Sequence, residues 1–245
     1  MDFSGRQLEE TMTFASTFGR VLSPTFQPKS QAAVVASGGW WDLDGTITSC
    51  IAAYQPKGAA DYAASKVNLV NPGTYNCSAG SIAPTWDATN GWKFAGGKNE
   101  YLNTSLVLKD AYTIIIRFSN VTNNGYLMGS INHSAYVSFC IAPNRGSPPT
   151  TYFVRRATFV AYDAVTSGVL AQAKYKGFYN GSPVADLTSL GDLAGDTFTA
   201  YIGATHDATT PGYAPIAAYI QCAAIYSTTL TDTQIGNLTT AMNAL

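Results

Sequence analysis

"IAAYIQCAAIYSTTLTDTQIGNLTTAMNAL", residues 216–245, places a strand and a helix back to back, and that junction decides the fold. Residues 216–226 are apolar, aromatic and free of Gly and Pro, and they read as a strand. Beyond the polar "STTL", Thr231 and Gln234 stand at capping-box spacing. Ile235, Leu238, Met242 and Leu245 then recur at helical intervals. The spacing predicts a short amphipathic helix that must cover some other surface.

Upstream the signals are strands and turns. Candidates are "KVNLV" (66–70), "GWKFA" (91–95), "YTIIIRF" (112–118), "GYLMGSI" (125–131), "AYVSFCI" (135–141), "TYFVRRATFVAY" (151–162), "GVLAQAKY" (168–175) and "TFTAYIG" (197–203). Most are bounded by Gly, Asn or Pro, and the Asn-Gly pair inside "YNGSP" (179–183) favours a tight hairpin. About a dozen short strands with no helices between them predict an all-β sandwich or jelly roll of two packed antiparallel sheets. At 245 residues the chain is long enough for one sizeable core, and it shows no fixed-period repeat.

The front of the chain differs. Ser4 and Gln7 repeat the capping spacing, Leu8, Met12, Ala15 and Phe18 share one helical face, and Gly19 is placed to end the helix. Pro24 and Pro28 then forbid regular structure. We therefore divide the chain into residues 1–31, an N-terminal helix and arm, and residues 32–245, the sandwich. Asp2, Glu9 and Glu10 stand where an export leader needs a basic start and an apolar run, so no signal peptide is expected.

Charged residues make up 12% of the chain and its net charge is −1, so no field steers it onto nucleic acid. With no run of 18 apolar residues, no membrane-spanning helix is expected. Cys50, Cys77, Cys140 and Cys222 are widely spaced, lack a C-x-x-C pattern, and are expected as reduced, mostly buried thiols.

Catalytic patterns are thin. Retaining glycoside hydrolysis needs two carboxyl groups about 5 Å apart. After the first helix the only glutamate is Glu100, so no catalytic pair is expected. "WDLDG" resembles the start of a calcium loop, but the twelfth position counted from Asp42 is Ala53, which has no carboxylate. Asp42 and Asp44 read instead as turn residues, and no metal or other cofactor is expected. His133 and His206 sit in polar, loop-like sequence with no nucleophile beside them. Aromatic rings remain as the ligand surface: Trp40, Trp41, Trp86 and Trp92 are the candidate glycan-stacking residues. Alternation in "GWKFAG" competes with this by setting Trp92 and Phe94 on one buried face.

Several stretches in order carry a family resemblance: "WWDLDGTIT", "GWKFAGGKNEYLNT", "GFYNGSPV" and the closing "AAIYSTTLTDTQI" with its helix. From about residue 35 onward the chain resembles the LamG-like branch of the concanavalin A-like lectin/glucanase domains, in the form found in tailed-bacteriophage virion proteins. The resemblance implies a concanavalin A-like jelly roll without the glucanase glutamate pair. It also implies a non-enzymatic virion structural protein, a decoration on capsid or tail, made in the host cytoplasm. Its partners would be other virion subunits and further copies of itself. The N-terminal segment, through Leu8, Met12, Phe14, Phe18 and Phe26, is the expected attachment. A glycan-binding module or adhesin contacting host-surface polysaccharide is the alternative.

Overall fold

The computed structural model describes residues 38–43, 45–132, 137–156, 158–193, 195, 197–207 and 210–245. The expected N-terminal helix and arm, Asp44 and His133 lie outside the described residues. The elements run β1 (Cys50–Tyr54), α1 (Tyr62–Ser65), β2 (Ser78–Ala79), β3 (Thr85–Asp87), β4 (Gly91–Ala95), β5 (Leu102–Val107), β6 (Thr113–Ser119), β7 (Met128–Asn132) and β8 (Val137–Arg145). They continue with β9 (Thr150–Arg155), β10 (Thr158–Asp163), β11 (Gly168–Ala173), β12 (Lys176–Tyr179), β13 (Ser182–Asp186), β14 (Thr199–Ile202), β15 (Ala217–Tyr226) and α2 (Asp232–Asn243).

Among the described residues the strands form two antiparallel sheets, a jelly-roll sandwich. The eight-stranded sheet runs β13-β12-β11-β6-β15-β4-β3, with β1 also paired to the long β15. The seven-stranded sheet runs β10-β9-β8-β7-β14-β5-β2. Alternation decides which side chains meet between them. Ile114, Ile116 and Phe118 of β6, with Ala223 and Ile225 of β15, face Phe139 and Ile141 of β8 and Phe153 of β9 across the central core.

The intervening residues of the eight-stranded sheet face outward and are buried as well. Ile115, Val169, Ala171, Cys222 and Ala224 pack under α2, which contributes Ile235, Leu238 and Met242. This is why residues 114–116 of β6 and 222–225 of β15 are unbroken apolar runs: both faces are covered. The capping box at Thr231 and Gln234 forms as expected. At the far end Arg117 Nη1 donates to Met242 O at 2.6 Å, and Lys57 Nζ donates to Leu245 O. These cations lie at the negative end of the helix and add to the backbone hydrogen bonds that close its last turn.

Several local expectations hold and two are corrected. Asn180 and Gly181 both take positive φ, 47° and 83°, and close the β12–β13 hairpin as the primed turn that an Asn-Gly pair favours. "KVNLV" is not a strand. Asn68 is buried there and its side chain does the pairing: Oδ1 accepts from Ala53 N at 3.0 Å and Nδ2 donates to Ile51 O at 3.0 Å. "TYFVRRATFVAY" is two strands, not one. The chain reverses after β9 with Arg156 at φ 58°, so that Phe159 comes opposite Val154.

Candidate glycan-binding face

Of the four candidate tryptophans one is in the core and three are partly buried. Trp92 is fully buried, its indole N–H donating to Ser65 Oγ at 2.8 Å, so its candidacy as a stacking ring is withdrawn. The β4 alternation, with Trp92 and Phe94 inward and Lys93 outward, accounts for this. Trp86 is partly buried against the same core and donates to Pro56 O at 2.7 Å. Trp40 and Trp41 meet edge to face at 5.9 Å and lie partly buried against the α2 side of the eight-stranded sheet, where Tyr226 Oη donates to Trp41 O. Asp42 is a turn residue as expected, its N–H donating to Gly39 O and its carbonyl accepting from Ile47 N.

Tyrosines, two phenylalanines and a histidine lie on the outer face of the seven-stranded sheet instead. Ile131, Cys140, Ala142 and Val154 form its apolar base, with Tyr126, Tyr152 and Tyr213 packed on it. Tyr152 and Phe159 are diagonal neighbours on β9 and β10, stacked at 3.8 Å with planes 12° apart. Phe159 is 45% exposed although one of its faces lies on Tyr152. Arg145 lies 4.4 Å above the Tyr126 ring and donates to Asn124 O, which sets a cation at one end of the group. Burial raises the Tyr126 hydroxyl well above its ordinary pKa, so this ring is a neutral phenol across the physiological range.

Further along the same face Tyr101 stacks on Tyr201 at 4.0 Å, Tyr201 on His206 at 4.4 Å, and His206 on Phe198 at 4.8 Å. His206 is therefore a packed ring and not the exposed loop residue its sequence context suggested. Stacking covers the faces of Tyr201 and His206, so this row is a packed support, and the exposed ring on this sheet is Phe159, a surface for the C–H side of a sugar.

Glu100 is buried at the β4–β5 turn, where Oε2 accepts from Ala95 N at 2.8 Å and Gly97 N at 3.2 Å. This carboxylate holds a turn. Among the described residues no three His, Cys, Asp or Glu side chains gather as metal ligands. All four cysteines are buried, and burial pushes the Cys50 and Cys77 thiols up to about 12.

Two antiparallel sheets of this order define a jelly-roll sandwich. No protein-family model matches the chain, and no curated protein matches it by sequence. Solved structures do match in fold. Domain 4 of AbnA, a GH43 extracellular arabinanase from Geobacillus stearothermophilus, solved in complex with arabinotriose, is similar at 15% identity with a TM-score of 0.50 over 78% of this chain and 98% of that one. Trypanosoma rangeli sialidase is similar at 12% identity with a TM-score of 0.53 over 80% of this chain, which spans only 33% of the sialidase.

Proposed function

We propose that this domain is a non-enzymatic glycan-binding module whose ligand lies on the outer face of the seven-stranded sheet. The observation that carries the reading is the Tyr152–Phe159 pair, a stacked platform left 45% exposed at Phe159 on a face rich in tyrosines. A pre-stacked ring loses little side-chain freedom on binding, so its contact area converts efficiently into affinity. The fold-level likeness to an arabinanase domain solved with arabinotriose supports the ligand class. Titration of the full chain with arabinotriose and other uncharged oligosaccharides tests it. The expected result is saturable binding, read at the amides of the ring face, that weakens at least about tenfold in Phe159→Ala. Flat titrations across a broad glycan panel would end the reading.

The setting we infer rests on the sequence resemblance alone: a virion, on capsid or tail, with the module displayed as a decoration or adhesin. In this setting the partners are virion subunits and further copies of the chain, and Leu8, Met12, Phe14, Phe18 and Phe26 make the attachment. Each apolar side chain buried on a neighbour contributes up to about 3 kcal/mol. A chain lacking residues 1–30 is expected to bind glycan and fail to join particles. Normal incorporation of that truncated chain contradicts the attachment.

A further inference from the structure

A cleft of about 540 Å³ lies at one end of the eight-stranded sheet, and none of the rings described above lines it. One wall is the β11–β12 turn with Lys174, Tyr175 and Lys176, and the other is the approach to α2 with Thr229, Thr231 and Asp232. Ala173 and Leu230, both buried, add apolar surface to the lining. The volume is that of a small-molecule site.

The charges around it are already matched. Lys176 Nζ lies 2.8 Å from both carboxylate oxygens of Asp232. Lys174 Nζ lies 3.0 Å from Asp110 Oδ2 and 3.3 Å from Asp192 Oδ1, and the fully buried Arg155 pairs with the other oxygen of Asp110. Three cations thus face three carboxylates, and the group is neutral. The start of α2 is satisfied as well, since Thr231 Oγ1 accepts from Gln234 N. An anionic ligand would have to displace a carboxylate from a lysine. A neutral hydroxyl does not: it accepts one of the remaining N–H bonds of an ammonium and donates to a remaining carboxylate lone pair. Tyr175 has Arg155 and Lys174 at 4.9 and 4.7 Å from its ring centre, so it forms part of the wall and not an open stacking surface.

We propose that this cleft is a second ligand site, taking an uncharged polyhydroxylated ligand of the size of a short neutral oligosaccharide. Paired ammonium and carboxylate groups meet vicinal hydroxyls, and Ala173 and Leu230 meet ring C–H groups. The site is separate from the Tyr152–Phe159 platform and does not depend on it.

Two-dimensional NMR of the full chain, titrated with arabinotriose, cellotriose and mannotriose, and in parallel with the anionic trigalacturonate, reads both sites in one experiment. Saturable shifts at the amides of residues 174–176 and 229–233 are expected with at least one neutral trisaccharide. They should persist in Phe159→Ala and weaken about tenfold or more in Thr233→Trp, which fills the cleft from an exposed position, and in Lys176→Gln. Cleft shifts without ring-face shifts would sustain this site while ending the proposed one. No saturable cleft shift with any neutral probe, stronger binding of trigalacturonate, or loss of the cleft shifts in Phe159→Ala would each overturn the proposal.

Discussion

The outer faces of the two sheets solve one problem in opposite ways. On the eight-stranded sheet most of the outer apolar residues are small or aliphatic, with the rings of Phe178 and Tyr226 buried among them, and α2 adds Ile235, Leu238 and Met242 to the same cluster. Ala171, Ala173 and Ala224 let the helix sit close, and Arg117 and Lys57 hold its last carbonyls. On the seven-stranded sheet the corresponding positions carry Tyr126, Tyr152 and Tyr201, with Phe159 at the edge, and no helix lies among the described residues there. Tyrosine has an apolar ring and a polar tip, so it occupies a face that meets water or a hydroxylated ligand. The first face is built for stability and, on the proposed reading, the second for contact.

The sharpest test of that contrast is stability. Met242→Ala and Ile235→Ala each leave a cavity under α2 and should cost about 2–5 kcal/mol by denaturant unfolding, whereas Phe159→Ala should cost under about 1 kcal/mol. Equal losses would break the comparison. Asp110→Asn leaves Arg155 buried without its counter-charge. Asp110 is itself partly exposed, so the expected loss is about 2–3 kcal/mol, below that of a fully buried pair. Arg117→Ala removes one C-terminal anchor of α2 and should lower stability by about 1 kcal/mol, with faster amide exchange over residues 238–245.

The smallest effects are those of pH. Hydrogen bonds from Tyr175 and Lys174 hold the Asp192 carboxyl below the usual carboxylate range, and those from the Thr188 hydroxyl and N–H do the same for Asp186. A lowered folded pKa gives stability that is present above the unfolded value, near 4, and is lost as pH falls through the folded one. The denaturation midpoint should therefore decline below about pH 4. Cys50 and Cys77 act with the opposite sign. Raised to about 12 in the fold, they favour it fully below about pH 8.5, and that contribution fades as pH climbs toward the folded value. A midpoint that rose from pH 8 to pH 10 would contradict the assignment of these thiols as buried and neutral.

Much of the architecture was legible where one physical rule acts alone. The capping box and stripe of α2, the Asn-Gly turn, and the alternation of "GWKFA" each depend on local spacing, and each appears in the structure. "KVNLV" failed because Asn68 replaces backbone pairing with side-chain hydrogen bonds, which no hydrophobic pattern records. The ring face was not legible for a related reason. In "TFVAY" both alternating sets are apolar or aromatic, so the sequence does not tell that Val160 and Tyr162 pack on the core while Phe159 stays exposed. The tryptophans drew attention by size, yet size favours burial, and Trp92 takes the central place.

The contact role of the tyrosine face is tested most directly by glycan titration of the full chain beside Phe159→Ala, Tyr152→Ala, Trp40→Ala and Trp86→Ala. At the amides of the ring face, the account predicts saturable binding that falls at least about tenfold in the first two variants and stays within about twofold in the tryptophan variants. Binding that survives Phe159→Ala and Tyr152→Ala but disappears with Trp40→Ala or Trp86→Ala would contradict it.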